Sequence, residues 1–197
     1  IEASKNKQEI KFDLLEKISS QSRMPLCYGG GIKTLEEAVK LISIGFEKIS
    51  LNTSVIINPD ILDELVSQIG SQSIVVTLDV KKKSNREYYI YTDSGKTNTR
   101  LNLLEFIKIC ESKQIGEFVI NSIDNDGMMT GYDLGLAALV RSSTNYPLTF
   151  VGGAGDLSHI ESLISKVGII GAGAGSMFVF QGKYNAVLIN YFKPKTK

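Results

Sequence analysis

Short apolar or β-branched runs alternate along the chain with longer segments whose apolar residues recur every three or four positions. That switch of period is the signature of βαβ units. Residues 25–28, 48–51, 74–78, 117–120, 148–151 and 169–172 predict six strands, and residues 1–3 the end of a seventh. Helices are predicted at 12–20, with Phe12, Leu15 and Ile18 on one face, and at 35–44, with Leu35, Ala38, Val39, Leu41 and Ile42 as the inward stripe. Pro59 is expected in the first turn of the next helix, where its missing N–H costs nothing, with Ile61, Leu62, Leu65 and Ile69 facing the core. Further helices are predicted at 103–112, 134–141, 157–166 and 184–191.

Strand–helix units of about 30 residues imply a parallel sheet, either open and doubly wound or closed into an eight-stranded barrel. An internal repeat favours the barrel. The stretch YGGGIKTLEEAVKLISIGFEKISLNTS at 28–54 resembles FVGGAGDLSHIESLISKVGIIGAGAGSMF at 150–178. Gly30-Gly31 aligns with Gly152-Gly153 122 residues on, and Asn52-Thr53 with Gly175-Ser176 123 residues on. The offset spans four strand–helix units, half of an eight-unit ring. The expectation is therefore an α/β fold, a (β/α)8 TIM-type barrel of two half-barrel repeats, forming one domain over 1–197. On this count roughly one and a half βα units, about 45 to 50 residues, precede Ile1. The segment 81–98 is long for a βα loop. Its EYYIYT run has strand character and predicts a hairpin over the barrel mouth, turning at Ser84-Asn85, either as a lid or as a plain surface hairpin.

Composition changes this picture little. Of 197 residues 43% are hydrophobic and 22% charged, and the formal net charge is +1. Lys81-Lys82-Lys83 and the basic tail read as solvated charge, so no nucleic-acid face is expected. No apolar run approaches the ~20 residues of a membrane span, and no signal peptide is seen, so a cytoplasmic protein without membrane partners is expected. Cys27 and Cys110 fall on elements expected to be buried and lack metal-ligand spacing, so neither a metal nor a cofactor is anticipated. His159, near a helix start, reads as a surface residue rather than a catalyst.

In a parallel barrel the reactive groups stand at strand C-termini. Those positions hold Gly30-Gly31, Asn52-Thr53, Asp79, Ser122 with Asp124 and Asp126, Gly152-Gly153 and Gly175-Ser176. Glycines at a strand end let backbone N–H groups approach an anion. The repeat therefore predicts two anion cups, Gly30, Gly31, Asn52 and Thr53 in one, Gly152, Gly153, Gly175 and Ser176 in the other. Cups on opposite rims suit an elongated substrate with phosphate at both ends. Asp79 closes the apolar run SIVVTLD, where a carboxylate can serve as general acid or base; a structural Asp bonded to loop amides is the alternative. Of the next two acids, Asp126-Gly127 is the better site candidate and Asp124 a turn former, while Asp133 reads as a helix N-cap. Lys48 and Glu117 each open a strand, so they point to the barrel base, to pair there or to be solvated.

The stretches YGGGI, EKISLNT, SQSIVVTLDVK, SGKTNT, SIDNDGMMTGYD, GGAG and AGSMF occur in one order along the whole chain. Together they resemble the cyclase subunit family of imidazole glycerol phosphate synthase. The resemblance implies a two-half barrel that receives ammonia from a glutaminase partner docked at its base. The ammonia reacts with a bisphosphorylated ribulosyl aminoimidazole carboxamide nucleotide, releasing imidazole glycerol phosphate and a purine precursor in histidine biosynthesis. It makes Asp79 the acid/base carboxylate, the two glycine sets the phosphate sites, Ser94 and Gly95 part of a loop over the mouth, Ser122, Asp126 and Gly127 substrate contacts, and Lys48 and Glu117 part of an ammonia gate. The family's second catalytic Asp and a loop Lys have no counterpart in these residues. Asn121 and Met128 stand where the family usually has Thr, and Cys27 and Tyr28 where it has small or apolar residues. Those departures resemble a branch associated with surface-polysaccharide genes, in which the subunit delivers ammonia for amidation of a sugar. A sugar-phosphate isomerase on the same barrel is a third reading.

Overall fold

The computed structural model describes residues 9–83, 87–181 and 186–189. Its elements run α1 (Phe12–Gln21), β1 (Cys27–Gly29), α2 (Leu35–Ser43), β2 (Lys48–Leu51), α3 (Thr53–Ile57), α4 (Ile61–Ile69), a 3-10 turn (Ser71–Ser73), β3 (Ile74–Lys82), β4 (Tyr88–Thr92), β5 (Thr97–Asn102), α5 (Leu103–Ser112), β6 (Glu117–Ser122), α6 (Leu134–Ser143), β7 (Leu148–Val151), α7 (Leu157–Val167), β8 (Gly171–Ala172), α8 (Ser176–Val179), β9 (Phe180–Gln181) and β10 (Ala186–Val187).

Six strands pair in parallel in the order β1-β2-β3-β6-β7-β8. Apart from the hairpin β4–β5, each strand neighbours the next in sequence, without the reversal of a doubly wound sheet. This is the progression of a TIM-type α/β fold. Among the described residues β1 and β8 do not pair with each other.

The sheet has two unlike faces because strand side chains alternate. Ile49 and Leu51, Ile74, Val76, Leu78 and Val80, Phe118 and Ile120, and Leu148 and Phe150 are all buried. They pack in one core with Ala38, Leu41, Leu62, Leu65, Phe106, Ile107, Ala137 and Val140 from the helices. The opposite face carries a polar file. Lys48, Glu117 and Thr149 are joined at the strand starts, Ser50 and Thr77 meet at 2.5 Å midway, and Asn52, Asp79 and Asn121 are bonded at the strand ends.

The repeat extends to helix capping. Thr34 forms a capping box with Glu37 at the start of α2, and Asp156, 122 residues later, caps α7 through Ser158 and His159 N–H. Each repeat then ends on a one-turn helix, α3 after Asn52 and α8 after Gly175, whose N-cap residue makes no side-chain cap bond.

Several expectations need correction. Pro59 precedes α4, whose N-cap is Asp60. Val39 and Ile18 are 40% and 46% exposed, because α1 and α2 each present only a narrow apolar edge to the core. Cys27 is exposed, whereas Cys110 is buried. Residues 186–187 pair with β9 as an antiparallel strand, not as part of a helix. The hairpin is larger than expected: β3 runs on to Lys82 and pairs antiparallel with β4, and β4 with β5. The expected turn at Ser84-Asn85, the strand end at 1–3, the remainder of the helix expected at 184–191 and the basic tail lie outside the described residues. No helix among the described residues is long and apolar enough to cross a membrane.

Candidate active site

All six parallel strands end on one edge, and Asp79 stands near its middle, on the long central β3. Its register partners are Asn121 on β6 and Tyr91 on β4. Asn121 Nδ2 donates to Asp79 Oδ1 at 2.8 Å, and Asn52 Nδ2 donates to Oδ2 at 3.0 Å. Each carboxylate oxygen therefore has its own amide donor, which fixes the plane of the group. Both amide oxygens, Asn52 Oδ1 and Asn121 Oδ1, are buried without a hydrogen-bond partner. Leaving an acceptor unsatisfied costs about 1–3 kcal/mol each, a burden more in keeping with a site than with a packing region. Asn121 Oδ1 lies toward Gly152: a Cβ added at that glycine would sit 3.2 Å from it. The two asparagines thus join Asp79 to the two predicted cups, Asn52 as the N-cap residue of α3 and Asn121 as the neighbour of Gly152.

The paired glycines share a backbone conformation that favours glycine. Gly30 and Gly31 have φ of 122° and 73°, Gly152 and Gly153 of 96° and 106°. Gly152 and Gly153 are buried, Gly175 is exposed and Ser176 half-buried; Gly30 and Gly31 are half-buried and Thr53 exposed. Both cups lie on the Asp79 edge, one at β1/β2 and the other at β7/β8, with β3 and β6 between them.

The loop after β6 is tied down on the second cup. Ser122 Oγ donates to Asn125 Oδ1 at 3.0 Å, Asn125 Nδ2 to Gly131 O at 2.9 Å, and Gly131 N–H to Gly153 O at 2.7 Å. The buried Ser122 hydroxyl thus already has a structural partner. Asp126 and Gly127 are exposed at the loop tip. Asp124 Oδ2 accepts from Lys82 N–H at 3.3 Å, so its side chain ties the loop after β6 to the end of β3 rather than to its own turn. Asp133 caps α6 through Leu136 N–H and also accepts from Tyr88 OH at 3.0 Å. Burial and this Asp133 bond push the Tyr88 phenol up to about 12. His159 is not a simple surface residue: half-buried, it accepts the Gly155 N–H at Nδ1 at 3.0 Å and so holds the second glycine loop against α7. Ser94 is exposed and Gly95 buried in the β4–β5 turn.

At the other end of the sheet Lys48 Nζ meets Glu117 Oε2 at 2.6 Å, and Thr149 Oγ1 donates to Glu117 Oε1 at 2.6 Å. Burial alone would raise the Glu117 carboxyl. The bonds from Lys48 and Thr149 and the lysine's charge outweigh it, and the group sits below the usual carboxylate range. A depressed folded value adds stability above the unfolded value of about 4.3 and loses it as pH falls through the folded value. Because the pair is partly exposed, Glu117→Gln is expected to cost only about 1 kcal/mol at pH 7. Urea denaturation at pH 7 and at successively lower pH checks this: the difference from wild type should shrink as pH falls through the folded Glu117 value.

Sequence reasoning placed Asn52 in a cup and noted Asn121 only as a departure. Neither was read as a partner of Asp79. The usable signal was that Asp79 and Asn121 close adjacent parallel strands.

The family profile described as "Histidine biosynthesis protein" matches residues 1–185. A Vibrio vulnificus (strain YJ016) protein named "Putative imidazole glycerol phosphate synthase subunit hisF3" is 46% identical over 198 residues, covering 100% of this chain and 76% of that protein. A Leptospira borgpetersenii protein with the corresponding HisF name is 43% identical over 192 residues, covering 97% of this chain and 76% of its own length. "Imidazole glycerol phosphate synthase subunit HisF" of Dictyoglomus thermophilum (strain ATCC 35947 / DSM 3960 / H-6-12) is 36% identical over 196 residues, covering 99% and 77%.

Proposed function

The chain belongs to the histidine biosynthesis protein family, and from that premise we propose that it is a cyclase-type subunit of imidazole glycerol phosphate synthase. In this reading it is a cytoplasmic lyase that uses ammonia supplied by a glutaminase subunit. The ammonia adds to a bisphosphorylated ribulosyl aminoimidazole carboxamide nucleotide held at the Asp79 edge. The observation that carries the reading is the clamped Asp79 carboxylate between two glycine cups on one sheet edge. Asp79 is the general acid or base, and the cups Gly30, Gly31, Asn52, Thr53 and Gly152, Gly153, Gly175, Ser176 take the two phosphates. Asp126, Gly127 and Ser94 border the bound substrate from the loops, while Ser122 and Gly95 shape those loops. The polar file from Lys48 and Glu117 through Ser50 and Thr77 to Asn52 supports passage of ammonia from a glutaminase docked at the strand starts.

A second reading, an ammonia-delivering subunit for amidation of a sugar, draws on Asn121, which binds Asp79 where the resembled family usually has Thr. Turnover of the bisphosphorylated nucleotide by the full-length protein with free ammonia, followed by loss of substrate absorbance, separates the two. Product formation without the glutaminase supports the cyclase; a folded protein inert at saturating ammonia supports delivery to another acceptor.

A further inference from the structure

The polar face of β3 continues past Asp79 to Lys81, two residues on and therefore on the same side of the strand. Across the ladder Asp79 faces Tyr91 and Lys81 faces Tyr89. Lys81 Nζ lies 5.3 Å from the centroid of the Tyr91 ring, within cation–π range. The ring is itself held, because Asn98 Nδ2 donates to Tyr91 OH at 3.1 Å. The lysine stem is enclosed as well. A Cβ added at Gly95 would meet Lys81 Cε at 3.5 Å and two Ile123 carbons at 3.1 Å, so the β4–β5 turn, the loop after β6 and the Lys81 stem converge. Lys81 is half-buried and takes part in no ion pair among the described residues. It is a cation held in place beside a carboxylate, with a ring rather than an anion as its partner.

We propose that Lys81 is a substrate-binding residue whose ammonium leaves the Tyr91 ring to take a phosphate oxygen of the ligand bound at the Asp79 edge. The inference rests on the reading of that edge as a site for a phosphate ester. A compact ammonium suits this role, since it makes charge-assisted bonds from a flexible stem and exchanges a weak aromatic contact for a stronger ionic one. The ammonium's attraction grows with the charge of the anion, so a phosphate dianion gains more from it than a monoanion does.

The test titrates inorganic phosphate into the full-length protein by calorimetry, for wild type, Lys81→Met and Lys81→Arg. Met keeps the stem between Gly95 and Ile123, and Arg restores the charge. Met is expected to weaken phosphate binding about 10- to 100-fold, with Arg within about threefold of wild type. With the phosphorylated nucleotide, Met should raise KM by a similar factor while kcat changes less. Loss in Met with recovery in Arg supports the role of Lys81 even where ammonia-driven turnover is absent, in which case only the cyclase reading falls. Equal phosphate affinity in wild type and Met, or no phosphate binding by wild type, overturns it, and turnover with an unchanged KM in Met overturns it while leaving the cyclase reading intact.

Discussion

Replacing Asp79 by Asn is expected to lower ammonia-driven turnover by about 10³-fold or more while leaving the protein folded. The activity loss follows from removing the carboxylate that, among the described residues, stands at the centre of the site, where acid/base groups contribute about 10²- to 10⁴-fold and where charge adds to positioning. The modest stability effect follows from the two orphan amide oxygens. The carboxylate accepts one N–H from Asn52 and one from Asn121. An Asn at 79 keeps one acceptor and turns a donor toward the other neighbour. That neighbour can rotate its amide and present the oxygen that is unpartnered in the wild type. The expected stability change is therefore within about 1 kcal/mol. Turnover with saturating ammonia and urea denaturation of the same preparations check both halves. Residual activity above a tenth of wild type contradicts the acid/base role, and a loss of several kcal/mol contradicts the amide rotation.

The second large effect is structural. Gly153→Ala places a methyl 2.0 Å from Gly131 O and 2.6 Å from Gly131 C, both backbone atoms, at a φ of +106°. Neither the turn nor the loop above it can yield without breaking the 2.7 Å bond from Gly131 N–H to Gly153 O. Crowding and left-handed strain together are expected to cost about 3 kcal/mol and to displace the second cup, raising KM for the phosphorylated nucleotide. Gly168→Ala, at the end of α7 and away from the site, is the control. Its φ is +81°, but an added Cβ has nothing within 4 Å, so only the conformational cost of about 1 kcal/mol is expected. Thermal unfolding and KM measured on both variants check the contrast; equal stability losses would show that the contact with Gly131 carries nothing.

Much of this fold was legible because a central parallel strand announces itself. Residues 74–78 are apolar or β-branched throughout, since β3 is flanked by strands on both sides and packs under helices, and the observed strand begins at the expected Ile74. The repeat was legible because glycine pair, helix-like segment and the next strand end recur at spacings of 122 and 123 residues. Other elements left no periodic trace. α3 and α8 are single turns of five and four residues, too short for a 3.6-residue period. β5 holds Thr, Asn and Arg with a single Leu, Leu101, and no residue of it is buried, so its pairing with β4 rather than any apolar alternation defines it. Asp79 could be singled out as the polar end of an apolar run. Its clamp could not, because the contacts with Asn52 and Asn121 join residues 27 and 42 positions apart and depend on register. The tie from Ser122 through Asn125 to Gly131 was equally invisible: a short polar loop gives no hint of which hydroxyl faces a ligand and which faces its own backbone.

The most direct test of the central claim follows backbone amide resonances of Gly30, Gly31, Gly152, Gly153 and Gly175 as the bisphosphorylated nucleotide is added, without ammonia, to the Asp79→Asn protein, in which turnover is expected to be suppressed. One ligand spanning the edge must move both glycine sets along a single binding curve with one shared dissociation constant. Shifts confined to one set, or two curves with separate midpoints, would contradict it.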